Sequence, residues 1–218
     1  MPIIYITLSE TYADKIRQHG FDARVMKIQD YQPRTTARMT YYVSPANSLC
    51  FMDGGIDLAL SRQVFPGIEQ EVKSRVRELG RETQLGRHYL PIGSSLILDR
   101  PDNKSLVVAP TMLLPQAVPD TRNAYYATMA VLYNILVNRG EKLADVDILM
   151  TSFCCGYGKM SEANSIQQIT DGIRDYKNYK PTRISDTVVL SEPNLDEQPK
   201  YYQNTEWMII PPNEIQKC

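Results

Sequence analysis

Two short glycine-bearing stretches hold the residue types that could do chemistry. The first is Ser44-Pro45-Ala46-Asn47-Ser48-Leu49-Cys50-Phe51-Met52-Asp53-Gly54-Gly55-Ile56-Asp57, which follows an apolar run and leads into a helical pattern. Adjacent glycines at a helix start let backbone N–H groups face an anion, because glycine permits close approach and the helix N-terminus favours negative charge. The same stretch carries one amide, Asn47, and two carboxylates, Asp53 and Asp57, groups that suit sugar hydroxyls. The second is Thr151-Ser152-Phe153-Cys154-Cys155-Gly156-Tyr157-Gly158, again between an apolar run and a helical pattern. Phosphate-friendly backbone beside hydroxyl-friendly side chains points to a phosphosugar or nucleotide ligand. Taken singly, a Gly-Gly pair is also an ordinary turn, and an Asp at a helix start an ordinary cap or dipole partner.

The elements that must position these stretches alternate along the chain. Strands are expected at 3–8, 23–28, 40–43 and 146–150 from their β-branched and aromatic content. A strand at 92–98 and another at 105–109, joined by the polar turn 100–104, are expected to pair antiparallel. Helices are expected at 11–18, 57–64, 67–79, 121–137 and 161–176. Ile68, Val72, Val76 and Leu79 share one face of the third, and Thr121 is expected to cap the fourth. Strands alternating with helices give an α/β fold, a three-layer α/β/α sandwich with a mixed, mostly parallel central sheet. Ligands in such folds lie beyond the carboxyl ends of the strands, where both glycine-bearing stretches fall. Residues 1–176 form one domain in this reading. Residues 177–218 are an irregular C-terminal extension, docked in part by the apolar island Trp207-Met208-Ile209-Ile210.

Composition narrows the classes. With 218 residues, 43% hydrophobic and 22% charged, the chain suits one soluble domain. A net charge of −1 and the lack of a Lys/Arg stripe argue against extended nucleic acid as a partner. No apolar run approaches the roughly 20 residues of a membrane span, and no signal-peptide pattern opens the chain, so a cytoplasmic location without membrane contact is expected. The four cysteines suit neither a disulfide framework nor a CxxC metal pair, and two histidines cannot make a His-rich metal site. No metal or cofactor is expected. A G-x-x-x-x-G-K-[ST] phosphate loop is absent.

At this level of detail the two stretches resemble those of the macro domain, the ADP-ribose-binding module. The family's first loop has Asn, six residues, then Gly-Gly and a small apolar residue, with an Asp ten after the Asn. Here Asn47 is followed by six residues and then Gly54-Gly55-Ile56, Asp57 falls ten after Asn47, and Pro45-Ala46-Asn47 is similar to the family's Ala-Ala-Asn. The family's second loop reads Gly, small apolar, aromatic, Gly; Cys155-Gly156-Tyr157-Gly158 takes that place. The resemblance spans about residues 22–176.

It implies that Asp53 to Ile56 and Cys155 to Gly158 cradle a diphosphate through backbone N–H groups, with Ser152 and Cys154 beside them. It further implies that Tyr157 covers the distal ribose, Asn47 hydrogen-bonds it, and Asp30 accepts from the adenine amino group. In the MacroD-like hydrolases the Asp ten after the Asn supports attack of water at the distal ribose. The resemblance therefore implies Asn47 and Asp57 as catalytic residues of a hydrolase acting on mono-ADP-ribosyl-protein or ADP-ribose 1″-phosphate. Two departures, Asp53 for the first glycine of a Gly-rich triplet and Cys155 for the first glycine of loop two, favour instead a module that binds ADP-ribose without turnover. A nucleotide or RNA binder reusing the same pocket is the third alternative.

Overall fold

A computed structural model of the chain describes residues 3–79, 81–82 and 86–178. Its centre is a six-stranded sheet in the order β2-β1-β8-β3-β7-β6, formed by β1 (Ile3–Thr7), β2 (Asp22–Val25), β3 (Met39–Ser44), β6 (Leu96–Arg100), β7 (Lys104–Val108) and β8 (Val146–Met150). Every neighbouring pair is parallel except β6 with β7, a hairpin with Leu98 opposite Leu106. A further two-stranded hairpin, β4 (Arg81–Glu82) with β5 (His88–Tyr89), stands apart from this sheet.

Period-two alternation divides the strand side chains between two apolar layers. Ile3, Tyr5, Tyr41, Val43, Val107, Ile148 and Met150 face α1 (Glu10–Gln18), α4 (Asn123–Tyr133) and α5 (Glu162–Asn178). Ile4, Ile6, Tyr42, Leu106, Val108 and Leu149 face the opposite layer, built from α2 (Gly55–Ala59), its continuation Leu60–Val64, α3 (Ile68–Leu79) and the crossover at 26–38. The result is the α/β/α sandwich with a mixed, mostly parallel sheet that the alternation of patterns predicts. Strands buried on both sides explain the near-continuous apolar runs in β1 and β8.

The β2-to-β3 crossover contains no α-helix. It is tied down instead by Asp147, a fully buried carboxylate in β8. The Asp147 carboxylate accepts from the Tyr31 hydroxyl and the Arg34 backbone N–H, each at 2.9 Å, and pairs with the Arg34 guanidinium, which also donates to the Val146 carbonyl at 2.7 Å. Removing one partner would leave a buried charge without compensation, a far larger loss than the net worth of the pair.

Several local expectations are corrected. The second strand ends at Val25, because Ile28–Asp30 coils into a 3₁₀ turn that buries Ile28. Thr121 does not cap α4: its hydroxyl donates to the Val118 carbonyl at 2.9 Å, and the helix starts at Asn123 without a side-chain cap. The helix expected at 57–64 begins at Gly55 and widens to π geometry over Leu60–Val64; α4 continues likewise as Asn134–Asn138. The strand expected from 92 begins at Leu96, because residues 92–93 form a turn with Gly93 at φ +84°. The helix expected at 161–176 runs Glu162–Asn178. Nearly all of the extension expected at 177–218, including Trp207 to Ile210, lies outside the described residues.

Candidate functional site

Beyond the carboxyl ends of β1, β3 and β8 lies a cleft of about 550 Å³. That volume falls within the range of small-molecule sites. One wall is loop one (residues 45–54) with the start of α2; another is loop two (residues 151–158); the 26–29 turn forms the third.

Loop one is held from inside and outside. The Asn47 side chain accepts from the backbone N–H groups of Leu49 (3.1 Å) and Phe51 (3.4 Å) and donates to the Phe51 carbonyl at 3.2 Å. Ser48 accepts from the Leu90 N–H at 2.8 Å and donates through its own N–H to Met112 at 2.8 Å. From α3, Glu69 accepts from the Met52 N–H at 3.3 Å, while Lys73, paired with Glu69 at 2.9 Å, stands 5.0 Å from the centre of the Phe51 ring. Ser61 in the π segment donates to the Met52 carbonyl at 3.1 Å. The loop then turns into α2 through Gly55 at φ +55°, a left-handed conformation that glycine adopts without strain. Gly54 caps α2 with no side-chain bond to the first turn, so its leading N–H groups have neither a capping side chain nor an intrahelical acceptor.

Asp57 sits in the first turn of α2 and lines the cleft. Its Oδ1 accepts from the Ser44 hydroxyl at 2.6 Å, linking the helix to the carboxyl end of β3. Burial raises its pKa to about 7, opposed by the Ser44 hydrogen bond and reinforced by the negative charge of Asp53. A carboxyl titrating near neutrality in a cleft is equipped for proton transfer.

Loop two crosses to meet loop one. The Tyr157 ring, 68% exposed, lies over Gly54, where a Cβ would stand 3.7 Å from Tyr157 Cε2. Gly158 is required by close approach: a Cβ there would overlap the Cys154 carbonyl, with its carbon and Cα at 2.9 Å. The Gly158 carbonyl in turn accepts from the Val118 N–H at 2.7 Å.

The sequence candidates distribute as follows. Asn47, Asp53, Gly54, Gly55, Ile56, Asp57, Ser152, Cys154, Gly156 and Tyr157 all line the cleft. Ala46 is fully buried beneath loop one, where its carbonyl accepts from the Thr111 N–H at 2.8 Å. Cys155 and Gly158 support loop two from behind and are not part of the lining. Asp30 is likewise off the cleft, since the 3₁₀ turn that buries Ile28 directs position 30 to solvent. Lys27, Ile28 and Gln29 line the wall there instead, together with Leu8 and Met26. No sequence pattern announced them, because an irregular crossover has no periodicity to read. Thr151 is a further lining residue, next to the loop-two candidates in the chain.

The cysteines are poor nucleophiles in this setting. Burial pushes the Cys154 thiol up to about 12, and raises Cys155 as well. Among the described residues no group of three or more His, Cys, Asp or Glu side chains is placed to hold a metal ion. Among the described residues, too, no helix is long and apolar enough to cross a membrane.

Compared with protein-family models and with curated proteins, the chain gives no match. Among solved structures it is similar to the macrodomain of Mycobacterium tuberculosis DarG, at 14% identity, over 64% of this chain and 84% of that one, with a TM-score of 0.43. It is also similar to a mutant Oceanobacillus iheyensis macrodomain with ADPR, at 12% identity, 77% and 76% coverage and a TM-score of 0.48. A third is Thermosipho africanus DarTG in complex with ADP-ribose, at 10% identity, covering 78% of this chain and 49% of that one, with a TM-score of 0.47.

Proposed function

We propose that the protein binds ADP-ribose in the cleft between its two glycine-bearing loops and hydrolyses ADP-ribose derivatives, either mono-ADP-ribosyl-protein or ADP-ribose 1″-phosphate. The observation that carries the reading is Asp57: a carboxyl anchored on Ser44, lining the cleft, with its pKa raised to about 7. The loops supply the rest. Backbone N–H groups at Gly54 to Ile56 and around Gly156 face the diphosphate, and Tyr157 lays an apolar ring against the distal ribose.

On a mono-ADP-ribosylated carboxylate side chain, ionised Asp57 takes a proton from water as the water oxygen bonds to C1″ of the distal ribose. The bond from C1″ to the ester oxygen breaks, and the protein side chain leaves as its carboxylate. Asp57 returns its proton to solvent. Asn47 acts mainly by shaping loop one, since its carbonyl and one amide hydrogen are engaged within the loop. Its other amide hydrogen is directed to the ribose.

A second reading, an ADP-ribose reader without turnover, is favoured by Asp53. This exposed carboxylate on the cleft wall stands where a bound diphosphate would meet its charge. Calorimetric titration with ADP-ribose, with AMP as control, tests the binding shared by both readings. Release of ADP-ribose from a mono-ADP-ribosylated protein then separates them. Saturable binding with release supports the hydrolase, binding without release the reader, and no binding rejects both.

A further inference from the structure

Among the described residues Lys73 is the one lysine or arginine that is buried, 9% exposed beside Val72 and Val76 on the inner side of α3. Taking an ammonium out of water is costly, and apolar side chains in place of a buried ion pair often match or exceed its stability. Stability alone therefore gives no reason for a lysine here. Its contacts do.

Lys73 and its partner Glu69 both end on loop one. Lys73 Nζ stands 2.9 Å from Glu69 Oε1 and 5.0 Å from the centre of the Phe51 ring, and the same Oε1 accepts from the Met52 N–H at 3.3 Å. The other backbone groups of these two loop residues are engaged as well: Asn47 holds the Phe51 N–H and carbonyl, and Ser61 holds the Met52 carbonyl. Just before them Cys50 adopts φ +58°, a left-handed conformation that a non-glycine residue keeps only where its surroundings fix it. Phe51 is half-buried and lines the cleft, as does Met112, which is bridged to Asn47; neither Lys73 nor Glu69 reaches the lining. A buried charge pair thus grips, from behind, an aromatic ring that the cleft presents to whatever enters it.

We infer that Phe51 is a ligand-contacting wall of the cleft, and that Lys73 and Glu69 are positioning residues that set ligand affinity by holding its ring and the adjoining backbone in place. The inference rests on the ADP-ribose reading of the cleft. A ring held before the ligand arrives needs no ordering on binding, whereas a loose ring lowers the fraction of molecules ready to bind and weakens the apparent affinity in proportion. A desolvated cation on an aromatic face is worth enough to make that change about threefold to tenfold.

The test is calorimetric titration with ADP-ribose of the wild type, Lys73→Met, Lys73→Arg, Phe51→Leu and the double variant Lys73→Met/Phe51→Leu, with thermal melting of each protein without ligand. Lys73→Met keeps an apolar stem and removes the charge; it is expected to bind about threefold to tenfold more weakly while melting near the wild type. Lys73→Arg, which keeps a cation, is expected to bind within about twofold of the wild type. Phe51→Leu is expected to weaken binding, and adding Lys73→Met to it should weaken binding little further, because the lysine acts through the ring. Unchanged affinity in Lys73→Met or in Phe51→Leu overturns the inference and leaves the ADP-ribose reading in place. An equal loss from Lys73→Met with and without Phe51 overturns it, and so does weakening in both Lys73 variants with lowered melting temperatures, which assigns Lys73 a packing role. A wild type that does not bind ADP-ribose overturns the ADP-ribose reading, and the inference with it.

Discussion

Replacing Asp57 by Asn isolates the cost of the carboxyl that the cleft buries. The native group titrates at about 7 against an ordinary value of 3.8. A difference of that size corresponds to about 4 kcal/mol between the protonation states. The carboxyl faces an open cleft, so solvent reduces the figure, and about 2–4 kcal/mol is the working range. The sign follows from proton counts. Between about pH 4 and 7 the folded protein holds this proton and the unfolded chain does not, so the contribution to stability falls as pH rises. The cost of ionising the buried group is absent below about pH 4 and fully expressed above about pH 7.

Asn keeps an acceptor for the Ser44 hydroxyl but never ionises. Asp57→Asn should therefore melt above the wild type by about 4–16 °C at pH 8.5 and by less than half of that at pH 5, where only part of the penalty has developed, using about 2–4 °C per kcal/mol for a chain of this length. Differential scanning calorimetry at the two pH values reads this directly. An equal difference between the proteins at both pH values would show that Asp57 ionises without penalty, and would remove the basis for its role in proton transfer.

Three further outcomes are expected. Asp57→Ala should lower the release of ADP-ribose from a modified protein by at least about a hundredfold, the lower range for losing a general base, while calorimetric affinity for ADP-ribose changes little; unaltered turnover would take Asp57 out of the mechanism. Gly55→Glu forces a non-glycine residue to φ +55° and projects a carboxylate into open space at the cleft, so titration with ADP-ribose should show binding abolished; retained affinity would mean that the diphosphate sits elsewhere. Gly158→Ala drives a methyl group into the Cys154 carbonyl and should cost about 1–3 kcal/mol in denaturant unfolding, a loss that an unstrained loop two would not show.

Much of this protein could be read before folding because its strands and helices announce themselves over several residues. The runs in β1 and β8 are apolar throughout because both faces are covered, and α3 places Ile68, Val72 and Val76 on one buried stripe. The Asn47–Asp57 stretch was legible for a similar reason, since its glycines and polar residues fall within a dozen positions at a strand end, and Asn47, Gly54, Gly55 and Asp57 all line the cleft. Signals that depend on a single residue were less dependable. Thr121 has the chemistry of a helix cap, but the Val118 carbonyl captured its hydroxyl and the helix began later. Asp30 has the chemistry of a base-recognition residue, but one 3₁₀ turn directs it to solvent and gives the wall to Lys27, Ile28 and Gln29.

The sequence by itself determined the alternation of strands and helices, the two-layered core and the placement of two glycine-bearing turns at strand ends, because these follow from local propensity and hydrophobic period. Only the tertiary structure decided what the polar groups do. Ser44 and Asp57 meet because β3 and α2 converge, Tyr157 reaches Gly54 because loop two folds across loop one, and Asp147 is buried against Tyr31 and Arg34 because the crossover has no helix of its own. Hydrogen bonds and desolvation depend on distances of a few ångströms between residues far apart in the chain. The folded arrangement, and not the residue types alone, makes Asp57 an acid of about 7.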